Sequence, residues 1–345
     1  PVRGGQLVLD RAKKLGWHVL VNKSLTFEQC RQNMKGFYSR SRAVNDHEMQ
    51  EHVEKLPRIS EMIYKHDIIA EFQDNFRDWL TNNTLNSCRG LENFTPDIGQ
   101  GATQAFDSFY IRHRHRRLKL FAGEYLYHLV VSRDLKIDWA FINDPDQLGA
   151  GDCLIISVPF CDTGNKVANL EEVLGLCDKR GVPVLLDCAY YTISKGIHID
   201  LNHDCIDTVA FSLSKTFPIA HARVGMRFIR PEISDGQKLH SKINYDNRLS
   251  AGVGLHFIKE FASDYVYLKH QRFYEEVIKF LSLTPSQTII FADGDDEWKQ
   301  YGRRDILGAY GLEQDETLYK NRVCVTELLE NENISRRIID EYNRP

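Results

Sequence analysis

The chain has 345 residues, of which 42% are hydrophobic and 27% charged, and its formal net charge is −4. This composition is typical of a globular protein with a large core, and it provides no overall basic field for nucleic acid. The basic run at 111–117 is interpreted as a solvated face, because no aromatic interleaving or recognised nucleic-acid-binding motif accompanies it. We see no signal peptide and no apolar stretch of membrane-spanning length, so neither nucleic acid nor membrane is an expected partner.

The eight cysteines contain no CxxC pair and no Cys/His cluster with the spacing of a zinc site, so no metal is expected. Cys153, Cys188 and Cys324 lie in apolar runs, where a thiol behaves as a small hydrophobic group. This cysteine usage favours a reducing, cytoplasmic location.

The pattern along the chain changes twice. Residues 47–64 and 68–79 have helical periodicity, and the chain between about 95 and 230 then alternates short apolar runs with helical segments such as 169–179. The predicted strands of this middle part are 118–121, 153–158, 182–187, 208–212 and 224–229. Near-continuous apolar strands separated by helices predict a mainly parallel sheet covered by helices on both faces.

The C-terminal part is predicted to be helical at 252–261, 265–281 and 334–342, with short strands at 288–291 and 322–326. The fold class is therefore α/β, a three-layer αβα sandwich with a smaller α/β domain formed from both chain ends. We place the large domain at 65–245 and the small domain at 1–64 and 246–345.

Polar residues follow the predicted strands where ligands collect in open α/β sheets. Asp187 and Ser212 end two strands, and Lys215 follows in the next turn. Upstream, the glycine-containing segment 99–105 opens a helix, and the exposed N–H groups of a helix start suit a phosphate. Taken singly, the glycine turn could be a plain connection, the aspartate a helix cap and the lysine a solvent-exposed residue.

Together, three short motifs carry a specific resemblance: Asp-Cys-Ala-Tyr at 187–190, Ser-Leu-Ser-Lys at 212–215 and Arg-Val-Gly at 223–225. Their order and spacing resemble the fold-type I enzymes that use pyridoxal 5′-phosphate (PLP), in particular the class I/II aminotransferases of the aspartate aminotransferase superfamily. The resemblance covers roughly residues 95–230, with a short match near 322. The departures described below indicate a divergent member.

The resemblance implies that Lys215 forms a Schiff base with PLP and then moves the substrate proton. It implies that Asp187 pairs with the ring nitrogen and that Tyr190 bonds the phenolic oxygen of the ring. The neighbouring Tyr191 is the alternative, since only one of the two can face the ring if they lie on a strand. Lys195 follows Asp187 too soon to replace Lys215.

The remaining cofactor contacts implied by the resemblance concern the phosphate and the face of the ring. The aromatic residue that stacks on the ring lies in the segment 123–127, where Tyr125 is preferred to Tyr127. The phosphate is held by Ser212, Arg223 and the backbone of Gly101, Ala102 and Thr103.

Two matches are less regular. Arg322 resembles the arginine that grips the substrate α-carboxylate, although a surface arginine on an edge strand is the alternative. Cys161 stands where these enzymes carry an asparagine that bonds the ring oxygen. Because a thiol is a poor donor, the ring oxygen loses one hydrogen bond unless Asn165 reaches it.

The function implied is that of a PLP-dependent aminotransferase with a ping-pong mechanism, which acts on an α-amino acid and a keto acid and works as a homodimer. The alternatives are a PLP-dependent lyase, cyclase or synthase on the same fold, and a non-catalytic PLP-binding protein.

Overall fold

A computed structural model describes residues 41–296, 298, 321–330, 332 and 336 of the chain. Of the predicted helix at 334–342, only Arg336 belongs to these residues. None of the helices in the described part of the chain is long and apolar enough to cross a membrane.

The centre of the fold is a seven-stranded sheet with the order β2-β9-β8-β6-β5-β3-β4. Four of its pairs are parallel, and only β9, between β2 and β8, pairs antiparallel with its neighbours. The strands are β2 (Thr95–Gln100), β3 (Arg117–Phe121), β4 (Trp139–Ile142), β5 (Asp152–Ser157), β6 (Val184–Asp187), β8 (Ile206–Ser212) and β9 (Val224–Ile229). The predicted mainly parallel sheet is confirmed.

The central strands are buried on both faces, as near-continuous apolar strands require. In β5, Leu154 and Ile156 belong to one hydrophobic cluster, whereas Cys153 and Ile155 belong to a second cluster on the opposite face. The period of two therefore divides the core into two layers with the sheet between them.

Helices cover both layers. Phe109 of α4 and Leu129 of α5 lie in the smaller cluster, whereas Phe76 of α3, Val173 of α6 and Phe257 of α8 lie in the larger one. The helices are α1 (His47–Glu54), α2 (Ile59–Tyr64), α3 (Ile68–Thr81), α4 (Ala102–Arg112), α5 (Leu126–Leu135), α6 (Leu170–Arg180), α7 (Gly236–Lys242), α8 (Arg248–Glu260), α9 (Tyr265–Phe280) and α10 (Thr326–Glu330). The three-layer αβα class is confirmed.

Two smaller sheets complete the described strands. β1 (Ser87–Arg89) pairs parallel with β7 (His198–Asp200), and β11 (Phe291–Gly294) pairs antiparallel with β10 (Thr284–Pro285) and β12 (Asn321–Cys324). The division into a large domain at 65–245 and a small domain from both chain ends stays a prediction.

Two predicted elements differ from the structure. The segment 47–64 forms two helices rather than one, because Pro57 has no N–H to donate and disfavours helical backbone at the residue before it. The strand predicted at 288–291 begins only at Phe291, and Thr288 makes one isolated bridge with Ser194.

Candidate active site

A cavity of about 170 Å³ lies where β6 and β8 end, at the carboxyl edge of the parallel sheet. Two of the predicted residues, Gly101 and Arg322, are not part of its wall. Those that line it are Ala102, Thr103, Tyr125, Asp187, Tyr190, Ser212, Lys215 and Arg223.

Asp187 is the last residue of β6 and is buried beside Ser157 of β5. Burial raises the pKa of its carboxyl to about 7, although a hydrogen bond from the Ala189 N–H (3.0 Å) and the charge of Lys215 oppose the rise. Because burial disfavours the charged carboxylate, a cationic group bound in the cavity would stabilise it.

Lys215 lies in the turn after β8, and its amine donates to the carbonyl oxygen (2.7 Å) and hydroxyl oxygen (3.1 Å) of Ser41. Burial lowers the pKa of this amine. A lowered pKa favours the neutral, nucleophilic form that an amine needs to attack a carbonyl. Lys195, by contrast, lies over the ring of Tyr267 at 5.3 Å and is not part of the cavity wall.

Of the two adjacent tyrosines, only Tyr190 lines the cavity. Its hydroxyl lies 2.9 Å from the Ser41 hydroxyl, and its ring centroid lies 5.9 Å from the Lys215 amine. Tyr191 is fully buried and packs edge-on against Phe211. The structure thus places Tyr190, and not Tyr191, at the cavity.

An anion-binding cradle forms where α4 begins. Gly101 precedes the helix with a φ of 70° and a ψ of −176°, a conformation that essentially only glycine adopts. The Arg223 guanidinium donates to the Gln100 carbonyl (3.2 Å) and the Thr103 hydroxyl (3.1 Å), and no described carboxylate pairs with it. Since the first N–H groups of a helix have no partner within it, they and Arg223 present donors to an anion.

Ser212 adds a hydroxyl to this region at the end of β8. Its Oγ accepts a hydrogen bond from the Ser214 N–H at 3.2 Å, so the hydroxyl hydrogen remains available as a donor to a ligand in the cavity.

The rings of Tyr125 and Tyr127 lie side by side, but their surroundings differ. The two rings are nearly parallel, with centroids 6.0 Å apart and an interplanar angle of 15°. The Tyr127 hydroxyl donates to Asp107 at 2.8 Å, whereas Tyr125 is 41% exposed and lines the cavity. The segment is a helix start rather than extended chain, with Tyr125 as the N-cap of α5.

The structure assigns different surroundings to Cys161 and Asn165. Cys161 lines the cavity, as its position in the sequence implies. The side-chain oxygen of Asn165 accepts a bond from the Gln287 N–H at 2.8 Å, and Asn165 is not part of the cavity wall. Asn165 therefore does not take the place of the asparagine that Cys161 replaces.

Arg322 lies on β12 but is buried, with only 4% of its surface exposed. One of its N–H groups donates to the Cys161 carbonyl, and its guanidinium lies 4.2 Å from the ring centroid of Phe291. No described carboxylate pairs with Arg322. Its position behind Cys161 places a cation next to the cavity.

Sequence reasoning missed the contribution of the chain segment before α1. Ser41 and Arg42 both line the cavity, although no motif or spacing identifies them. Phe106 of α4 also lines the wall, and its position in an amphipathic helix gave no signal beyond core packing.

Comparison with known proteins shows which fold the chain shares. No family model and no curated protein matches the sequence. The histidinol-phosphate aminotransferase of Clostridium acetobutylicum superposes with a TM-score of 0.59 at 13% identity, covering 88% of this chain and 97% of that chain.

Two further similar structures differ in their stated activity. The tyrosine aminotransferase of Leishmania infantum has a TM-score of 0.55 at 13% identity, with 84% and 87% of the two chains covered. The L-threonine-O-3-phosphate decarboxylase of Porphyromonas gingivalis has a TM-score of 0.56 at 13% identity, with 88% and 97% covered. The chain therefore has the fold of these aminotransferases, as the resemblance predicted, and the same fold also carries a decarboxylase.

Proposed function

We propose that the chain is a PLP-dependent aminotransferase. The observation that carries this proposal is the convergence, on one cavity, of the Lys215 amine, the buried Asp187 carboxyl and the anion-binding cradle at the start of α4. A lysine, an acid and a phosphate site are the three groups that PLP requires of a protein.

The residues present fit this cofactor. Arg223 and the first N–H groups of α4 would bind the phosphate, and Asp187 would hold a proton on the ring nitrogen. Tyr125 would stack on the ring, because it is the member of the tyrosine pair that faces the cavity. Bound PLP supplies an electron-withdrawing ring that stabilises negative charge at the substrate α-carbon.

Three residues of the chain would have separate roles in the reaction. Lys215 would take the proton from the substrate α-carbon, since burial lowers the pKa of its amine and so favours the neutral form. Tyr190 would donate to the ring oxygen. Arg322 would attract the carboxylate of an α-amino acid or keto acid, because its charge has no described carboxylate partner.

One observation favours a second candidate, a PLP-dependent lyase, cyclase or synthase. Cys161 lines the cavity where an asparagine is the rule, and Asn165 is held by Gln287 and does not replace it. A cofactor oxygen with one donor fewer has altered electronics, and this change can favour another outcome from the same deprotonated substrate. A non-catalytic PLP-binding protein remains the third candidate.

The absorption spectrum tests the proposal. We expect the purified protein with PLP to have a visible band that Lys215→Ala removes and the control Lys195→Ala retains. Some amino acid in a panel should convert the bound cofactor to pyridoxamine phosphate, as detected by chromatography. Release of ammonia or CO₂ without pyridoxamine phosphate would instead identify a lyase or decarboxylase, turnover of no amino acid a binding protein, and no band at all would overturn the assignment.

We further propose that the chain acts in the cytoplasm and as a homodimer. The cysteines at the seven described positions are all free, which fits a reducing compartment. Exposed apolar side chains occur on α2 and from α7 to the start of α8, and Arg248 of α8 donates to the Ile63 carbonyl of α2. We term these side chains the α2–α7 patch, which fits a second copy of the chain. The patch consists of Ile59, Ile63, Tyr64, Leu239, Ile243, Tyr245 and Leu249.

A further inference from the structure

Ser41 makes contacts in the cavity that no role in the proposed function explains. Its carbonyl oxygen and its hydroxyl both accept hydrogen bonds from the amine of Lys215, at 2.7 and 3.1 Å. The same hydroxyl lies 2.9 Å from the hydroxyl of Tyr190. Ser41 thus joins the two residues that flank the predicted ring position, although it lies 174 residues before Lys215 in the chain.

The segment 41–46, termed the N-terminal strap, is fixed to distant parts of the fold. Arg42 forms ion pairs with Glu327 (2.5 Å) and Glu330 of α10, and the Asn45 N–H donates to Glu330 at 2.7 Å. Val44 is fully buried in the core. Because these contacts hold the strap against the fold, Ser41 is placed by tertiary contacts.

The donor and acceptor roles follow from the chemistry of the three groups. The Lys215 amine, when charged, can only donate, so the Ser41 hydroxyl oxygen is its acceptor. The hydroxyl hydrogen of Ser41 can then point at the Tyr190 oxygen. In that arrangement the Ser41 hydroxyl bridges the Lys215 amine and the Tyr190 oxygen.

We propose that Ser41 is a positioning residue whose hydroxyl holds the Lys215 amine in the cavity and orients the Tyr190 hydroxyl. This inference deepens the proposed function and rests on it for its catalytic meaning. In the reaction, Ser41 would bind the amine whenever it is not bonded to the cofactor, so that the amine stays within reach of the substrate α-carbon. The geometric part of the proposal concerns the protein alone.

The contact has a consequence for the charge of Lys215. A hydrogen bond accepted from an ammonium group favours the charged form, so Ser41 opposes the effect of burial on the pKa. Within the described part of the chain, the ionisable groups that also act on this amine include Asp187, Cys161, Cys324, Arg322 and Tyr190. They are the same in every variant of Ser41.

The first experiment measures the pKa of Lys215 in the full chain without cofactor, from the pH dependence of its acetylation followed by mass spectrometry. We expect Ser41→Ala to lower this pKa by about 1 to 2 pH units, the effect of one hydrogen bond to a charged group. Ser41→Thr, which keeps the hydroxyl, should have the wild-type pKa of Lys215. The remote control Ser87→Ala should also leave this pKa unchanged. An identical pKa in wild type and a folded Ser41→Ala protein would overturn the proposal.

The second experiment uses the PLP-loaded protein and the substrate found in the amino acid panel. Ser41→Ala should lower kcat about tenfold while KM changes little, since the hydroxyl acts on Lys215 and not on the bound substrate. A shifted pKa of Lys215 in a protein that never binds PLP would uphold the Ser41 contact and refute the proposed function. A shifted pKa with unchanged kcat would refute the catalytic role of Ser41, and Ser41→Thr distinguishes that role from a folding defect.

Discussion

Asp187 is the residue on which the chemistry of the proposed cofactor depends. Replacing it by asparagine keeps the shape but removes the charge that would hold the ring proton, so we expect Asp187→Asn to lose at least about 100-fold in kcat. Steady-state turnover with the amino acid found in the panel would measure this loss. A variant with nearly normal turnover would contradict the assignment of Asp187.

The same substitution has an effect on stability whose sign follows from the raised pKa. The carboxyl titrates near pH 4 in the unfolded chain and near pH 7 in the fold, so ionising it above pH 4 costs stability until pH 7 is passed. In the cofactor-free protein, the free energy of unfolding should therefore fall less steeply with rising pH in Asp187→Asn than in wild type. The difference in slope should be up to about 1.4 kcal/mol per pH unit. Thermal unfolding at pH 5, 6 and 7 would show a smaller decrease of Tm for the variant, and parallel decreases would contradict the burial effect.

Tyr125 is predicted to support the cofactor ring. Removing its ring in Tyr125→Ala should weaken PLP binding roughly tenfold, because stacking between rings contributes about 1 kcal/mol in addition to buried area. Tyr127→Phe is the matched control, since it removes only the hydroxyl bond to Asp107 and keeps the ring. Equal PLP affinities of Tyr125→Ala and wild type, measured by fluorescence titration, would show that another residue covers the ring.

At the residue scale, the sequence predicts the site where a local motif exists and misses it where contacts are long-range. Asp187, Ser212 and Lys215 lie in short segments whose strand ends can be read from the apolar runs beside them. Ser41 has no such signal, because its contact with Lys215 depends on the N-terminal strap reaching α10. The burial of Arg322 behind Cys161 likewise depends on the packing of β12.

The start of α4 is the element that would determine phosphate binding. A methyl group at Gly101 would lie 2.5 Å from the Arg223 guanidinium and would require a backbone conformation that is nearly exclusive to glycine. We expect Gly101→Ala to weaken PLP binding at least about tenfold, because both the helix start and Arg223 must move. Isothermal titration with PLP would measure the change.

Gly181 provides a matched control at the end of α6. It also has a positive φ, of 63°, but a methyl group there would meet no atom within 4 Å. Gly181→Ala should therefore cost about 1 kcal/mol of stability and leave PLP affinity unchanged. If both glycine variants weakened PLP binding equally, the cause would be general destabilisation rather than the cradle.

Elements were predicted best where the apolar pattern is continuous. β9 has its predicted bounds, and β5 and β6 differ by one or two residues at their ends. Edge strands gave less signal: β4 has few fully buried residues, and β2 contains Pro96, which is typical of an edge. Pro57 favours a break in the helix, yet the helical pattern on either side of it led to one predicted helix instead of two.

At the scale of the whole molecule, the order of the sheet explains why widely separated motifs meet. β6 and β8 are neighbours and both parallel, so Asp187 and Ser212 reach the same edge, and β9 brings Arg223 to the start of α4 through its pairing with β2. The sequence predicted the parallel sheet but not the antiparallel β9, because strand direction depends on the pairing and not on the apolar pattern. The resemblance, rather than the pattern, placed Arg223 in the site.

The α2–α7 patch is the surface at which we expect two copies of the chain to meet. It lies near the cavity, because Ser250 of α8 donates to the Ala222 carbonyl next to Arg223, and Arg248 ties α8 to α2 through the Ile63 carbonyl. Apolar side chains this exposed are costly in water, and Tyr64 and Tyr245 are 82% and 80% exposed. A second copy of the chain covering the patch would bury them beside each cavity.

We expect light scattering coupled to size exclusion to give twice the 40.0 kDa mass of the chain. Tyr64→Asp combined with Tyr245→Asp should convert the dimer to a monomer, since two buried carboxylates without partners cost several kcal/mol. Leu268→Asp, which changes an exposed apolar residue of α9 outside the patch, should leave the mass unchanged. A wild-type protein that is monomeric at high concentration, or a double variant that remains dimeric, would show that the patch does not join two copies.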